Sequence, residues 1–244
     1  MNRPAPNRQR GVIVIPAHNE ERDIGRVIRE IRRYCSLPVV VVDDASSDQT
    51  VKRARAAGAE VLPLALQLGA WGATQAGMRY ALREGYRHVV TMDADGQHEA
   101  VWLESLMAPV LDGSADVSIG CCVRRGSKLR KVAWRLLKWG SGLSLEDITS
   151  GFRAYNHDAV RLLASWQATL LEFQDVGVLV MLNKAGLRIR DIDVTMLPRR
   201  SGTSRVYHSW FAVIYYMCYT MLLGVSKRPL RRRRRRLATQ DNNR

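Results

Sequence analysis

Five short runs rich in β-branched residues mark the first half of the chain, at 12–15 (VIVI), 39–42 (VVVV), 60–64, 88–92 and 116–120. Such runs suit strands buried on both faces, the kind found in parallel sheets covered by helices. Helical patterns fill the intervals at 20–34, 49–57, 73–84 and 100–111. The first places Ile24, Val27, Ile28 and Ile31 on one stripe, and the third is ended by Gly85. Four β–α units in succession predict an α/β fold, a mostly parallel sheet with helices on both faces. The strands of such a sheet end along one edge, where ligands bind.

The loops at that edge are polar. Pro16-Ala17-His18-Asn19-Glu20 follows the first strand as a tight turn, and Asp43-Asp44-Ala45-Ser46-Ser47-Asp48-Gln49-Thr50 follows the second. Asp93-Ala94-Asp95 follows the fourth, and Cys121-Cys122-Val123-Arg124-Arg125 the fifth. If extended geometry persists past residue 92, Asp93 and Asp95 point the same way. Two carboxylates held side by side repel unless a cation joins them. Acids decorating a helix N-terminus are the plainer alternative, and helix capping is the plainer role for Asp43 and Asp44.

The formal charge of +15 is uneven, with nine Lys/Arg and one Asp in the last twenty residues. Arg231 to Arg236 are consecutive, so this stretch must stay solvated or dock on something anionic, either phospholipid or nucleic acid. Residues 127–139 (SKLRKVAWRLLKW) form a basic amphipathic pattern suited to a membrane surface or to a helix packed on its own domain. Residues 206–226 lack Asp, Glu, Lys and Arg, long enough for a membrane span. Four tyrosines and an internal Thr and Gly favour an interfacial or core-packed helix instead. The polar, basic residues 1–10 do not read as a signal peptide, and four cysteines without metal-ligand spacing fit a reducing cytoplasm. The expected layout is a basic tail at 1–10, a catalytic domain at 11–205, the apolar helix at 206–226 and an Arg-rich disordered tail at 227–244.

In order and spacing, VIVIPAHNEE, VVVVDDASSDQT and TMDADGQH resemble glycosyltransferase family 2. The nearest branch includes dolichyl-phosphate mannose synthase and the bacterial polyprenyl-phosphate sugar transferases. LEDITSGFRAY at 145–155 resembles that branch's Asp-x-x-Ser-Gly-Phe-Arg segment. Glu172-Phe173, Lys184-Ala185-Gly186 and PRRSGTSR at 198–205 extend the likeness through its Arg-x-x-Gly-x-Ser element. The resemblance implies a glycosyltransferase-A fold and an inverting, metal-dependent transfer from a nucleoside-diphosphate sugar. The implied acceptor is lipid-linked, a polyprenyl phosphate at the inner face of the cytoplasmic membrane. By position, Pro16, Ala17 and Glu20 would line the nucleoside site, and Asp44 would accept from the base with Asp43 in support. Asp93, Asp95 and Gln97 would hold a divalent cation, Mg²⁺ or Mn²⁺, whose preference for oxygen ligands suits these side chains. Arg135, Arg153 and Arg199 would clamp the acceptor phosphate, and Asp147 would orient the nucleophile.

Two departures stand out. Gly120-Cys121-Cys122 replaces the Gly-Ser-Arg common in relatives, with Arg124 or Arg125 as the nearest substitute. The loop at 68–72 lacks the relatives' Asn, which leaves the donor sugar open. A saccharide or glycolipid hydroxyl is the alternative acceptor, with Asp147 or Asp175 as general base. An anion- or nucleic-acid-binding protein led by the arginine tail is the alternative from another class, although no nucleic-acid fold signature accompanies that tail.

Overall fold

A computed structural model of the chain describes residues 11–122, 150–170 and 176–197. Seven strands, β1 (Val12–Ala17), β2 (Val39–Asp43), β3 (Glu60–Pro63), β4 (Val89–Thr91), β5 (Val117–Cys121), β6 (Arg153–Tyr155) and β7 (Ile189–Asp193), form one sheet in the order β3-β2-β1-β4-β6-β5-β7. Every pairing is parallel except the two that β6 makes with β4 and β5. The mostly parallel α/β architecture expected from the sequence is the one observed.

Strict alternation along the strands divides the core into two layers. Val12, Val14, Val40, Val42, Val89, Ile119 and Tyr155 face one side. Against them pack helices α3 (Gly69–Arg83), α5 (His157–Leu163), α6 (Trp166–Thr169) and α7 (Val176–Lys184). Ile13, Ile15, Val39, Val41, Val90 and Ala154 face the other side. There they meet α1 (Ile24–Tyr34), α2 (Thr50–Ala56) and α4 (Leu103–Leu111), the last preceded by a 3₁₀ turn at Ala100–Trp102. Ile24, Val27, Ile28 and Ile31 are all buried, so the expected stripe of α1 is its core face.

Three boundaries differ from expectation. β1 runs on through Pro16 and Ala17, which are strand residues and not a turn. α1 starts at Ile24 because the amides of Glu20 and Glu21 are held by Thr50 and Asp48 on the neighbouring loop. α3 starts at Gly69, earlier than its apolar pattern suggests, because Asp44 receives its first amides.

Pro16 sits in an interior strand without breaking it. Val12 donates to His88 O (3.0 Å) and Val14 O accepts from Met92 N (3.1 Å), so even-numbered residues of β1 bond toward β4. Ile13 donates to Pro38 O (2.9 Å), on the β2 side. The N–H that Pro16 lacks would therefore face β4, where pairing stops at Thr91. The sheet parts there. Because β2 and β3 lie on one side of β1 and β4 on the other, this gap is the topological switch point, the usual ligand crevice of open α/β sheets.

The basic amphipathic pattern at 127–139, the apolar stretch at 206–226 and both charged tails lie outside the described residues. No helix among the described residues is long and apolar enough to cross a membrane.

Candidate active site at the carboxyl edge

Two loops beside the crevice are locked together by side chains. Asn19, at φ +53, donates its amide to Ser46 Oγ (2.9 Å), and its Oδ1 accepts from Ser47 N (2.8 Å). Glu20 N donates to Thr50 Oγ1 (2.8 Å) and Glu21 N to Asp48 Oδ2 (3.2 Å), while Gln49 N returns a bond to Glu21 Oε2 (3.1 Å). Asp48 Oδ1 also receives the Thr50 amide (2.9 Å) and hydroxyl. Burial pushes the Asp48 carboxyl upward, but bonds from the Thr50 hydroxyl and amide and from the Glu21 amide outweigh it and hold it below the usual carboxylate range. Neither Asn19, Ser46, Asp48 nor Thr50 stood out as a site residue in the sequence, because their partners lie on another loop.

Asp44 is buried at the base of this pair. Its amide donates to Ala17 O (2.8 Å), and its carbonyl accepts from His18 Nδ1 (2.7 Å). Its carboxylate receives Leu68 N (2.6 Å) and Gly69 N (2.9 Å), at the positive end of α3. Each oxygen keeps a second lone pair, so Asp44 can accept one further donor while held rigidly. Asp43 Oδ2 accepts from Ser46 N (3.3 Å), and its buried Oδ1 has no hydrogen-bond partner among the described residues. Pro16, Ala17 and Glu20 stand beside these acids on β1 and its loop.

Across the gap, β4 and Met92 lead into the loop Asp93-Ala94-Asp95-Gly96-Gln97-His98. The Asp93 side chain is 39% exposed. Asp95 is mostly enclosed, and its Oδ1 accepts the Gln97 amide (3.0 Å). The loop is backed from below. His98 is buried and stacks on Phe152 with ring centroids 5.1 Å apart and 16° between planes. Its Nδ1 accepts from Asp93 N (3.2 Å). A backbone N–H can only donate, so the ring proton is on Nε2, 3.7 Å from Asp93 Oδ2.

The donor set suits a hard divalent cation: two carboxylates at i and i+2 and an amide oxygen, all on one loop. No cluster of three His, Cys, Asp or Glu side chains among the described residues closes a metal cage. A cation here would need further oxygens from a bound ligand, which is the open type of site used in catalysis.

Other expected residues fall differently. Arg153 lies inside the sheet, 1% exposed, in register with Thr91 and Ile119. It alternates with Phe152 and Ala154 and so shares a face with Tyr155; it is an interior residue at the carboxyl edge, not part of an open clamp. Cys121 ends β5, buried, and its thiol donates to Asp191 Oδ1 (3.2 Å). Arg135, Asp147, Asp175 and Arg199 lie outside the described residues, as do Glu172, Phe173, Arg124, Arg125 and the segment 198–205.

The family model described as glycosyl transferase family 2 matches residues 12–161. An undecaprenyl-phosphate mannosyltransferase of Micrococcus luteus is 32% identical over 219 residues, spanning 81% of this chain and 87% of its own. A polyprenol monophosphomannose synthase of Mycolicibacterium smegmatis is 28% identical, with 81% of each chain covered. Among solved structures, glucosyl-3-phosphoglycerate synthase from Mycobacterium tuberculosis, in complex with Mn²⁺, uridine diphosphate and phosphoglyceric acid, superposes with a TM-score of 0.68. It covers 92% of this chain and 84% of its own at 20% identity, a likeness of fold.

Proposed function

The chain belongs to glycosyltransferase family 2, in its polyprenyl-phosphate branch, and from that premise we propose that it transfers a sugar from a nucleoside diphosphate to polyprenyl phosphate with inversion. The observation that carries the proposal is the switch-point crevice, where Asp43 and Asp44 stand on one side of the gap and Asp93 and Asp95 on the other.

In this reading Pro16, Ala17 and Glu20 line the nucleoside site. Asp44, fixed by the Leu68 and Gly69 amides, accepts from a base N–H, and Asp43 supports the turn through Ser46. Asp93, Asp95 and Gln97 would hold a divalent cation beside the nucleotide. Bound there, the cation offsets repulsion between anions and stabilises charge on the departing nucleotide. The acceptor phosphate, with its second pKa near 6, is largely dianionic at neutral pH and attacks the anomeric carbon without a strong general base. Its need is cationic positioning, assigned to Arg135 and Arg199, with Asp147 orienting the attacking oxygen. Alignment and electrostatics supply most of the rate. A membrane-embedded acceptor and the arginine-rich tail both favour work at the inner face of the cytoplasmic membrane.

Purified protein, assayed against a panel of nucleoside-diphosphate sugars, should release nucleotide only when polyprenyl phosphate and Mn²⁺ or Mg²⁺ are both present. Asp95→Ala should abolish turnover and leave the circular dichroism spectrum unchanged. Full turnover by that variant under metal chelation would refute the mechanism. Equal turnover with a saccharide acceptor, and a pH–rate limb from a carboxylate, would move the assignment to a hydroxyl acceptor.

A further inference from the structure

Gly151 lies near the start of the described part of the segment 145–155, and its φ is not in the left-handed range that would require glycine. Space is what it provides. A β-carbon built there would lie 2.6 Å from Asp93 Oδ1 and 2.9 Å from Oδ2, where no real β-carbon is found. The Asp93 carboxylate therefore rests on the Gly151 α-carbon. Gly151 is itself fixed, since its carbonyl accepts the buried Thr91 hydroxyl at 2.8 Å. The next residue, Phe152, carries the ring that supports His98, and His98 holds the Asp93 amide through Nδ1 and faces Oδ2 with Nε2.

We infer that Gly151 and His98 are positioning residues that set the Asp93 carboxylate in its cation-binding pose, one by leaving room under it and the other by steering it from the side. The inference rests on the cation reading of Asp93 and adds two residues to it. Groups that orient a metal ligand typically govern affinity by about 10–100-fold. A methyl group at residue 151 meets the free end of a side chain and not backbone, so the chain still folds and the carboxylate swings away. Asn at residue 98 keeps an acceptor near the Asp93 amide but lacks the Nε2–H group.

The test is direct Mn²⁺ binding, read as loss of the free-ion electron paramagnetic resonance signal, with UDP present at a fixed concentration. Gly151→Ala should weaken Mn²⁺ binding by about tenfold or more, and His98→Asn by a smaller factor, with UDP affinity in the absence of metal unchanged. Thermal melts supply a second readout that needs no metal. Gly151→Ala should lower Tm in the native background and leave it unmoved in Asp93→Ala, where nothing remains to strike. Mn²⁺ affinities equal to wild type in both variants, or a Tm loss that persists in Asp93→Ala, overturn the clamp and leave the cation reading standing. A wild-type protein that takes up no Mn²⁺ with UDP refutes the cation reading itself, and the clamp falls with it.

Discussion

Asp48 lies beside the chemistry and not in it, yet three donors converge on its carboxylate from Thr50 and Glu21. Its lowered folded-state pKa means that the unfolded chain binds more protons in acid. The stabilisation is complete above the unfolded value, about 4, and disappears as pH falls through the folded value. Asp116 has the same sign: Arg188 bonds lower its pKa more than burial raises it. Urea midpoints should therefore fall between about pH 5 and pH 3. Asp48→Asn should begin lower at pH 7 and lose less over that interval; a wild-type slope in the variant would show that Asp48 is not a principal titrating group. Residues of this kind were poorly legible in the sequence. The acids of the edge loops stood out from spacing and resemblance, whereas Gly151 and His98 were visible only as letters of quoted motifs, and their contacts with Asp93 span residues 93 to 151.

Among the elements, α3 shows most plainly why local pattern falls short. Gly69 and Gly72 make its first turn read as loop, yet the helix starts there because Asp44, far back in the chain, accepts its first amides. The β-branched runs of β1 and β2 and the stripe of α1 were legible because burial on a sheet selects them directly. β6 was not: three residues, one of them a buried arginine, carry no strand signature. β7, with alternating acids, gave little more. Gly77 permits α3 to lie close on the sheet, since a β-carbon there would overlap Val14 Cγ1 and sit 3.0 Å from Val42 Cγ2. Helix propensity alone predicts that Gly77→Ala gains up to about 1 kcal/mol. The packing predicts a loss of about 1–3 kcal/mol, as in other overfilled cores. Because the same helix presents amides to Asp44, UDP affinity should weaken in parallel, measured by calorimetry beside the melt. A more stable variant would mean that the contact relaxes freely.

For the molecule as a whole, the charge of +15 and the position of the crevice bear on where the enzyme works. Deleting residues 230–244 removes six consecutive arginines, each contributing up to about 1 kcal/mol at an anionic surface. Binding to phosphatidylglycerol vesicles should drop and become less salt-dependent, while nucleotide release with metal and detergent-dispersed polyprenyl phosphate persists. Undiminished binding would show that the arginine run does not carry the attraction to anionic lipid. The α/β class was legible at this scale, since four successive β–α units admit few arrangements, but the strand order and the reversed β6 depend on pairings between distant segments. One of those pairings, β1 with β4, ends at Val14 and Thr91, just short of Pro16. A pyrrolidine ring occupies the place of an amide proton, so the bond that residue 16 would otherwise donate toward β4 beyond Thr91 cannot form. With that donor missing, the carboxyl edge between β1 and β4 is left unlaced on its sequence alone, and a ligand reaching the crevice meets loop groups and not a continuous ladder.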